Sequence, residues 1–342
     1  MADGGLSYRD AGVDLDAAES AKNRLKALVA QTRDAHTLSE LGAFGGLYQV
    51  PDSTNPVLVS SADGVGTKLK IAFQAGRHDT VGQCLVNHCV NDILVQGARP
   101  MFFLDYLATG KMDETVVTEV VTGVAIACTE NACALLGGET AQMPEFYAAD
   151  EYDLAGFIVG MVERDRVLDG TDIQAGDVLV GLESSGLHTN GYTLARKIVF
   201  EVMGLTVDAE MPGTGRSVGD ELLAIHRSYL NVLQEPLGQG MVRGLAHITG
   251  GGIPGNLPRV LPDGLGAEVD RSAWEVPAVF QTLQEAGGVA REEMDRVFNM
   301  GVGMLAVIRP ADVEAFTAHV ESTGLAHWVV GTVQAGLGVR YV

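Results

Sequence analysis

Positive charge is scarce in this chain: 23 Lys and Arg stand against 44 Asp and Glu in 342 residues, a net charge of −21. Such a surface repels phosphodiester backbones and anionic membranes, so electrostatics argue against nucleic acid and against membrane as partners. Anionic small molecules must instead be met by locally placed Lys, Arg and backbone dipoles. Long apolar runs are missing too. None approaches the roughly 18 uncharged residues of a membrane span, and no basic-then-apolar leader opens the sequence. The expectation is a cytoplasmic chain.

Cysteine is limited to Cys84, Cys89, Cys128 and Cys133, two pairs at five-residue spacing in predicted helices. Five helical steps turn through about 500° and leave the members of a pair about 140° apart. Neither pair chelates, and all four read as small core residues with reduced thiols. The usual phosphate and hydrolase signatures are absent as well. No GxxxxGK[ST], HExxH or GxSxG occurs, and GVGMLA (Gly301 to Ala306) runs into VIRP, a strand rather than the helix a dinucleotide fold requires. Any nucleotide is held by another scaffold. The histidines His36, His78, His88, His226, His247, His319 and His327 lack ligand-like spacing and read as surface or satisfied core residues.

What the chain has is a set of polar stretches interrupting apolar runs: SADGVGTK, CVNDILVQGA, FFLDY, GGETAQMP, SSGLHTNGY, HITGGGIPGN and FNMGVGM. Acids and glycines at the ends of buried strands suit a site that holds a metal and phosphates. After the strand VLVSS come Asp63, Gly64, Gly66 and Lys68. The glycines open the backbone to an anion, Lys68 offers charge and Asp63 offers an oxygen to Mg²⁺. Helical spacing from Thr80 to Gly97 puts Asn91 and Asp92 in apolar surroundings, where an acid calls for a cation or several donors. Asp105, in the strand MFFLDYLAT, and Glu139 are further acids of this kind. Three acids without a Cys and His cluster suit a hard cation rather than zinc. In the second half, His188 precedes a helix that Thr189 or Asn190 is placed to cap, an anion site with a group able to move a proton. Gly250, Gly251 and Gly252 are too glycine-rich for a packed helix or strand and suit a phosphate or flat ring.

Length and pattern predict two domains, 1–170 and 171–342, divided near Asp165 to Gly176, where charges and turn residues break the apolar pattern. The first reads as helices at Leu15 to Thr32, Thr80 to Gly97 and Asp113 to Leu135, with strands near Val57, Phe102 and Leu154 to Val162. The second reads as helices at Tyr192 to Met203, Gly219 to Leu233 and Ala311 to Ser322, with strands at Val178 to Leu182, near Gly266 and Met304, and at the end. Strands and helices mix in both halves, so the class is α/β (α+β).

Taken in order, LSYRDAGVDLD (Leu6 to Asp16), DGVGTK, CVNDILVQGA, FFLDYLATGK, GGETA, SSGLHTNGY, HITGGGIPGNLPRVLP and FNMGVGM resemble the phosphoribosylformylglycinamidine cyclo-ligase family, over essentially the whole chain. The resemblance implies that ATP activates the formamide oxygen of formylglycinamidine ribonucleotide and that a ring nitrogen closes onto that carbon, giving aminoimidazole ribonucleotide, ADP and phosphate in purine biosynthesis. Cofactors implied are ATP and Mg²⁺. Asp63, Gly64, Gly66 and Lys68 would serve the Mg²⁺–ATP phosphates, Asp92 and Glu139 would be further metal or substrate acids, and Lys26 would contact nucleotide. His188, Asn190 and Gly250 to Gly252 would face the substrate or move a proton, with His188, Asp92 and Lys68 as the catalytic set. The resemblance also implies a homodimer whose N-terminal sheets share a barrel. Gln142 and Glu145 depart from the family pattern, Gln142 replacing an acid and Glu145 a frequent glycine. Competing readings are a related small-molecule kinase or selenophosphate synthetase, or a silent nucleotide sensor.

Overall fold

A computed structural model describes residues 6–8, 11–13, 15–40 and 42–342. Arg9, Asp10 and Asp14 of the first motif lie outside the described residues. Helix α1 (Leu15–Gln31) leads to β1 (Pro56–Gly64), the short helix α2 (Leu69–Ala75) and α3 (Asp79–Leu94). Then come β2 (Arg99–Thr109), α4 (Glu114–Glu130), β3 (Ala134–Gln142) and β4 (Tyr152–Glu163). The four strands form one sheet in the order β1-β4-β2-β3, antiparallel except for the β2/β3 pair.

Alternation decides which face of this sheet is covered. On β4, Leu154, Ile158 and Val162 are buried while Phe157 is 47% exposed. Helix α3 packs on the buried face and α4 packs against α3. The opposite face carries Leu58 and Phe157, both exposed, with Phe102, Leu104 and Tyr106 half-buried. Asp105 is on the covered side with Phe103 and Leu107, at 8% exposure.

The second half opens with β5 (Val178–Glu183) and α5 (Tyr192–Arg196), the latter continued by a π-helical turn through Lys197–Val202. A small ribbon, β6 (Glu210–Met211) with β7 (Arg216–Ser217), precedes α6 (Val218–Leu222), α7 (Leu230–Gly238), β8 (Val242–His247), α8 (Gly252–Asn256) and β9 (Leu265–Val269). Helices α9 (Ala278–Gly287) and α10 (Arg291–Val297), strand β10 (Val302–Ile308), α11 (Val313–Ser322), β11 (His327–Ala335) and β12 (Gly338–Tyr341) complete it. Its six-stranded sheet runs β12-β9-β11-β5-β10-β8. All seven residues of β10 are buried, as an uninterrupted apolar strand between two covered faces requires. One face joins a core continuous with α3 and α4 of the first half, and the other packs on Trp274, Ile253 and Leu257.

Several expectations are corrected. The helix expected to reach Leu135 stops at Glu130, because Asn131 caps it, Ala132 takes φ +49 and the chain turns into β3. Cys133 therefore precedes a strand. The helix expected over Gly219 to Leu233 is two helices separated by residues 223–229, and the HITGGGIPGN segment, read as too glycine-rich for a helix, contains the single turn α8. The cap of α5 is Gly191, in the left-handed region, and neither Thr189 nor Asn190 caps it. No described helix is long and apolar enough to cross a membrane.

Candidate active site at the junction of the two sheets

Helix α3 supplies the floor of the site. His88 and Asp92 are one turn apart on it and share a face, as i,i+4 spacing dictates, and Asn91 beside them is fully buried. The end of β1 brings Ser61 and Asp63, residues 184–191 bring His188 and Thr189, residues 223–229 bring His226, and the end of β8 brings His247. These side chains form a hydrogen-bonded path. Asp63 Oδ2 meets His88 Nε2 at 2.9 Å, and His88 Nδ1 meets Thr189 Oγ1 at 2.6 Å. Thr189 Oγ1 meets His226 Nδ1 at 2.9 Å, His226 Nε2 meets His247 Nε2 at 3.0 Å, and His247 Nδ1 meets Asp92 Oδ1 at 2.8 Å. Ser61 Oγ donates to Asp92 Oδ2 at 3.0 Å.

Counting hydrogens along this path shows what filling it requires. Three neutral imidazoles and one hydroxyl bring one hydrogen each, four for five links, when both carboxylates are ionised. Filling every link therefore takes one more proton. Placed on His88 it lets Thr189 donate to His226, His226 to His247 and His247 to Asp92. Placed on His247 it reverses Thr189 and His226. The electrostatics agree: burial opposes a charge on His88, but its hydrogen bond to Asp63 and the charges of Asp92 and Asp63 outweigh it and hold the imidazole above its usual pKa. Burial and the neighbouring His188 hold His226 well below the usual value. Burial also lowers His247, against the pull of Asp92. Burial raises both carboxyls, yet the hydrogen bonds and charge of His88 on Asp63, and of His247 on Asp92, leave each below its usual range.

His188 stands beside the path. Its ring stacks on His226 at 4.0 Å between centroids, and Ser185 N–H donates to its Nε2 at 3.1 Å. The imidazole hydrogen is therefore on Nδ1, a buried donor with no acceptor among the described residues. Burial and the nearby His247 and Lys68 hold His188 neutral. Its backbone is left-handed at φ +64, a conformation few non-glycine residues adopt. Gly303 makes room for it, since a Cβ there would overlap the His188 ring and the Tyr229 hydroxyl.

The residues singled out from sequence fall in two places. Asp63, Asp92, His188, Asn190 and Gly250 gather at the junction, with Asn190 Nδ2 3.5 Å from where a Gly250 Cβ would lie. Glu139 does not join them: it is exposed on β3, at the opposite edge of the first sheet from Asp63 on β1, beside Asp105. Lys26 lines a small crevice with Arg33 and Glu40 on that same side. Lys68 is a clear correction. Its ammonium is fully buried and donates to protein acceptors, so its charge is not presented to a phosphate. The backbone N–H groups of Gly251 and Gly252 are likewise taken, by Arg296 O and Thr249 O, and Gly252 lets the loop close on Asp295. Gly64 N–H caps its neighbour Asp63, while Gly66 takes the left-handed φ +63. His88, His226 and His247 correct the reading of them as bystanders. The available signal was that His88 directly precedes CVNDILVQGA and His247 opens HITGGGIPGN, whereas His226 is near none of the polar stretches.

Asp63 and Asp92 suit a hard cation by donor type: two ionised carboxylates beside the Ser61 hydroxyl, with the Asp63 side chain 42% exposed. The buried histidine trio His188, His226 and His247 has ligand atoms within 4.8 Å of one another. However, His188 Nε2 faces an N–H donor, the reverse of the arrangement that orients a metal-bound imidazole.

A family model described as AIR synthase related protein, N-terminal domain, matches residues 43–162, and its C-terminal counterpart matches 174–342. Phosphoribosylformylglycinamidine cyclo-ligase from Trichlorobacter lovleyi is 49% identical over 331 residues, covering 96% of this chain and 95% of the relative. Those from Sorangium cellulosum and Burkholderia cenocepacia are each 51% identical over at least 96% of this chain and 94% or more of theirs. The chain belongs to the phosphoribosylformylglycinamidine cyclo-ligase family. Among solved structures, thiamine-monophosphate kinase from Stenotrophomonas maltophilia superposes on this family member with a TM-score of 0.72 at 18% identity, over 93% of this chain and 94% of the kinase. The hydrogenase maturation protein HypE of E. coli does so at 0.67 and 17%, over 95% and 94%. At that identity the likeness is one of fold, and it spans both halves of the chain.

Proposed function

We propose that the chain closes formylglycinamidine ribonucleotide to aminoimidazole ribonucleotide at the expense of ATP, releasing ADP and phosphate. The observation that carries the reading is the extent of the family match, near 50% identity from end to end of the relatives. The site supplies chemistry suited to it. An amide oxygen leaves poorly, and phosphoryl transfer to it makes it leave as phosphate. Asp63 and Asp92 are the side chains that would hold Mg²⁺, which when bound neutralises charge on the transferred phosphoryl group. As the ring nitrogen adds to the activated carbon it must give up a proton. The path from Asp63 to Asp92 passes one on by reversing Thr189 and His226, with its Asp63 end open to solvent. His188 Nδ1–H is a preformed donor for an oxygen acceptor.

We further propose that the chain works as a homodimer, supported by the apolar face of the first sheet on which Leu58 and Phe157 are exposed, and that the domains divide near residue 170. The test is ADP release with Mg²⁺–ATP, with and without formylglycinamidine ribonucleotide, following the aminoimidazole product in the same tube. ADP and product in equal amounts, only with the ribonucleotide present, are expected. ADP without product would point to a related kinase, and neither to a silent sensor.

A further inference from the structure

Lys68 is buried at the junction, with no carboxylate partner among the described residues. Its Nζ donates to His188 O at 2.8 Å, to Ala224 O at 2.6 Å and to Cys84 Sγ at 3.1 Å. The Tyr192 ring adds its face, 5.3 Å from Nζ to the centroid. An ammonium has three N–H groups, and here each has one acceptor. The two carbonyls belong to the second half of the chain, one in residues 184–191 and the other in residues 223–229. Those segments deliver His188, Thr189 and His226 to the site. The ammonium thus ties the turn after β1 to both histidine-bearing segments at one point.

We propose that Lys68 is a positioning residue: it holds the His188 carbonyl, and with it the left-handed backbone that stacks the His188 ring on His226 and sets Thr189 between His88 and His226. Its side chain acts through these groups and touches no nucleotide. Burial of a cation there is tolerated because two carbonyl dipoles, a polarisable sulfur and an aromatic face surround it. Arginine would not substitute, since its planar fork spreads its donors where the three acceptors surround one nitrogen. Methionine matches much of the stem and offers no donor.

The kinetic part of the test rests on the cyclo-ligase reading, so a second readout is independent of it. Wild type, Lys68→Met and Lys68→Arg are assayed for product at varied ATP. In both variants kcat falls about 100-fold, the scale of a reacting group misplaced by about 1 Å, while KM for ATP stays within about threefold of wild type. A tenfold rise in KM for ATP at preserved kcat would make Lys68 a phosphate ligand and overturn the proposal, as would unchanged kinetics. In parallel, ¹⁵N-histidine spectra without substrate are compared. The His188 and His226 ring signals move in Lys68→Met while His319, on the remote α11, does not. Unmoved His188 and His226 signals would sink the proposal whatever reaction the wild type catalyses, and a wild type that makes no product would sink only the reaction. If Lys68→Met does not fold, Cys84→Ala removes one acceptor. It then shows a smaller loss of kcat at constant KM and a shifted His226 signal, because His226 N–H also donates to Cys84 Sγ, at 3.3 Å. A Cys84→Ala variant with wild-type kcat and an unmoved His226 signal would overturn the proposal.

Discussion

At the scale of single residues, two side chains sit where the physics of their position disagrees with their type. Glu145 has φ +68 at the place where the family pattern often has glycine. A left-handed non-glycine residue costs on the order of 1 kcal/mol, and Glu145→Gly relieves it while loosening the unfolded chain. Urea denaturation should show Glu145→Gly within about 1 kcal/mol of wild type, on the stabilising side. Its departing partner Gln142 has found a use in donating to the Gly12 carbonyl, which an acid could not do when ionised. Asp105 is the second case. Burial, aided by the charge of Glu139, raises its carboxyl from 3.8 to about 7. The native state then binds this proton more tightly than the unfolded chain does. Asp105 favours folding fully below about pH 4, and that contribution is lost between about 4 and 7, on the order of 4 kcal/mol in all. Asp105→Asn removes this slope. Stability measured from pH 4 to 8 should fall more steeply in wild type than in the variant, and parallel curves would show that Asp105 is not the titrating group.

At the scale of elements, the site exists because α3 and two irregular segments are locked together. Asn91 donates to Arg227 O at 2.8 Å and accepts from Tyr229 N–H at 3.0 Å, and Asn87 donates to His226 O at 2.8 Å. These side chains hold residues 223–229 open against their own helical periodicity, which is why one helix was expected across that segment. Thr189 joins the His88 ring on α3 to the His226 ring of that segment. Thr189→Val keeps the shape and removes the hydroxyl, leaving His88 Nδ1 and His226 Nδ1 without their shared partner. Product formation should drop about 100-fold, the scale of losing proton transfer, with the circular dichroism spectrum unchanged; wild-type turnover would exclude the path. Helices α3 and α4 were legible because their apolar spacing is long and regular. Strand β3 was not, since Ala134, Leu135 and Leu136 continue the helical pattern of α4 and the break at Ala132 carries no glycine. Asp63, Asp92 and His188 were legible as charged or polar groups in apolar context. His226 and His247 were not, because no local spacing joins positions that only the packing of two sheets brings within one hydrogen bond of each other, and His88 had only its one-turn spacing from Asp92 to mark it.

At the scale of the whole molecule, one surface is out of keeping with the rest. A chain with a net charge of −21 repels its own copies, and the repulsion weakens with salt. Against that background, this face of the first sheet presents Leu58 at 60% and Phe157 at 47% exposure, with Leu104 and Tyr106 half-buried and Phe102 packed against Tyr48. Among the described residues, the sheet also leaves two edges, β1 and β3, unpaired. Apolar faces of this kind are rarely left in water. If two copies close on this face, the association is hydrophobic, opposed by net charge, and tightened by added salt. Light scattering should give twice 36.0 kDa for wild type, and dilution should release monomer sooner at low salt than at high. Phe157→Glu places a carboxylate at the centre of the face and should yield monomer at every salt concentration, with its secondary structure intact. A wild-type monomer would leave this face needing another cover. A dimer indifferent to Phe157→Glu would move the contact elsewhere. The same experiment bears on Glu139, which sits on the β3 edge away from Asp63: a site that needs both acids needs the second copy, and monomeric Phe157→Glu would then lose turnover along with its partner.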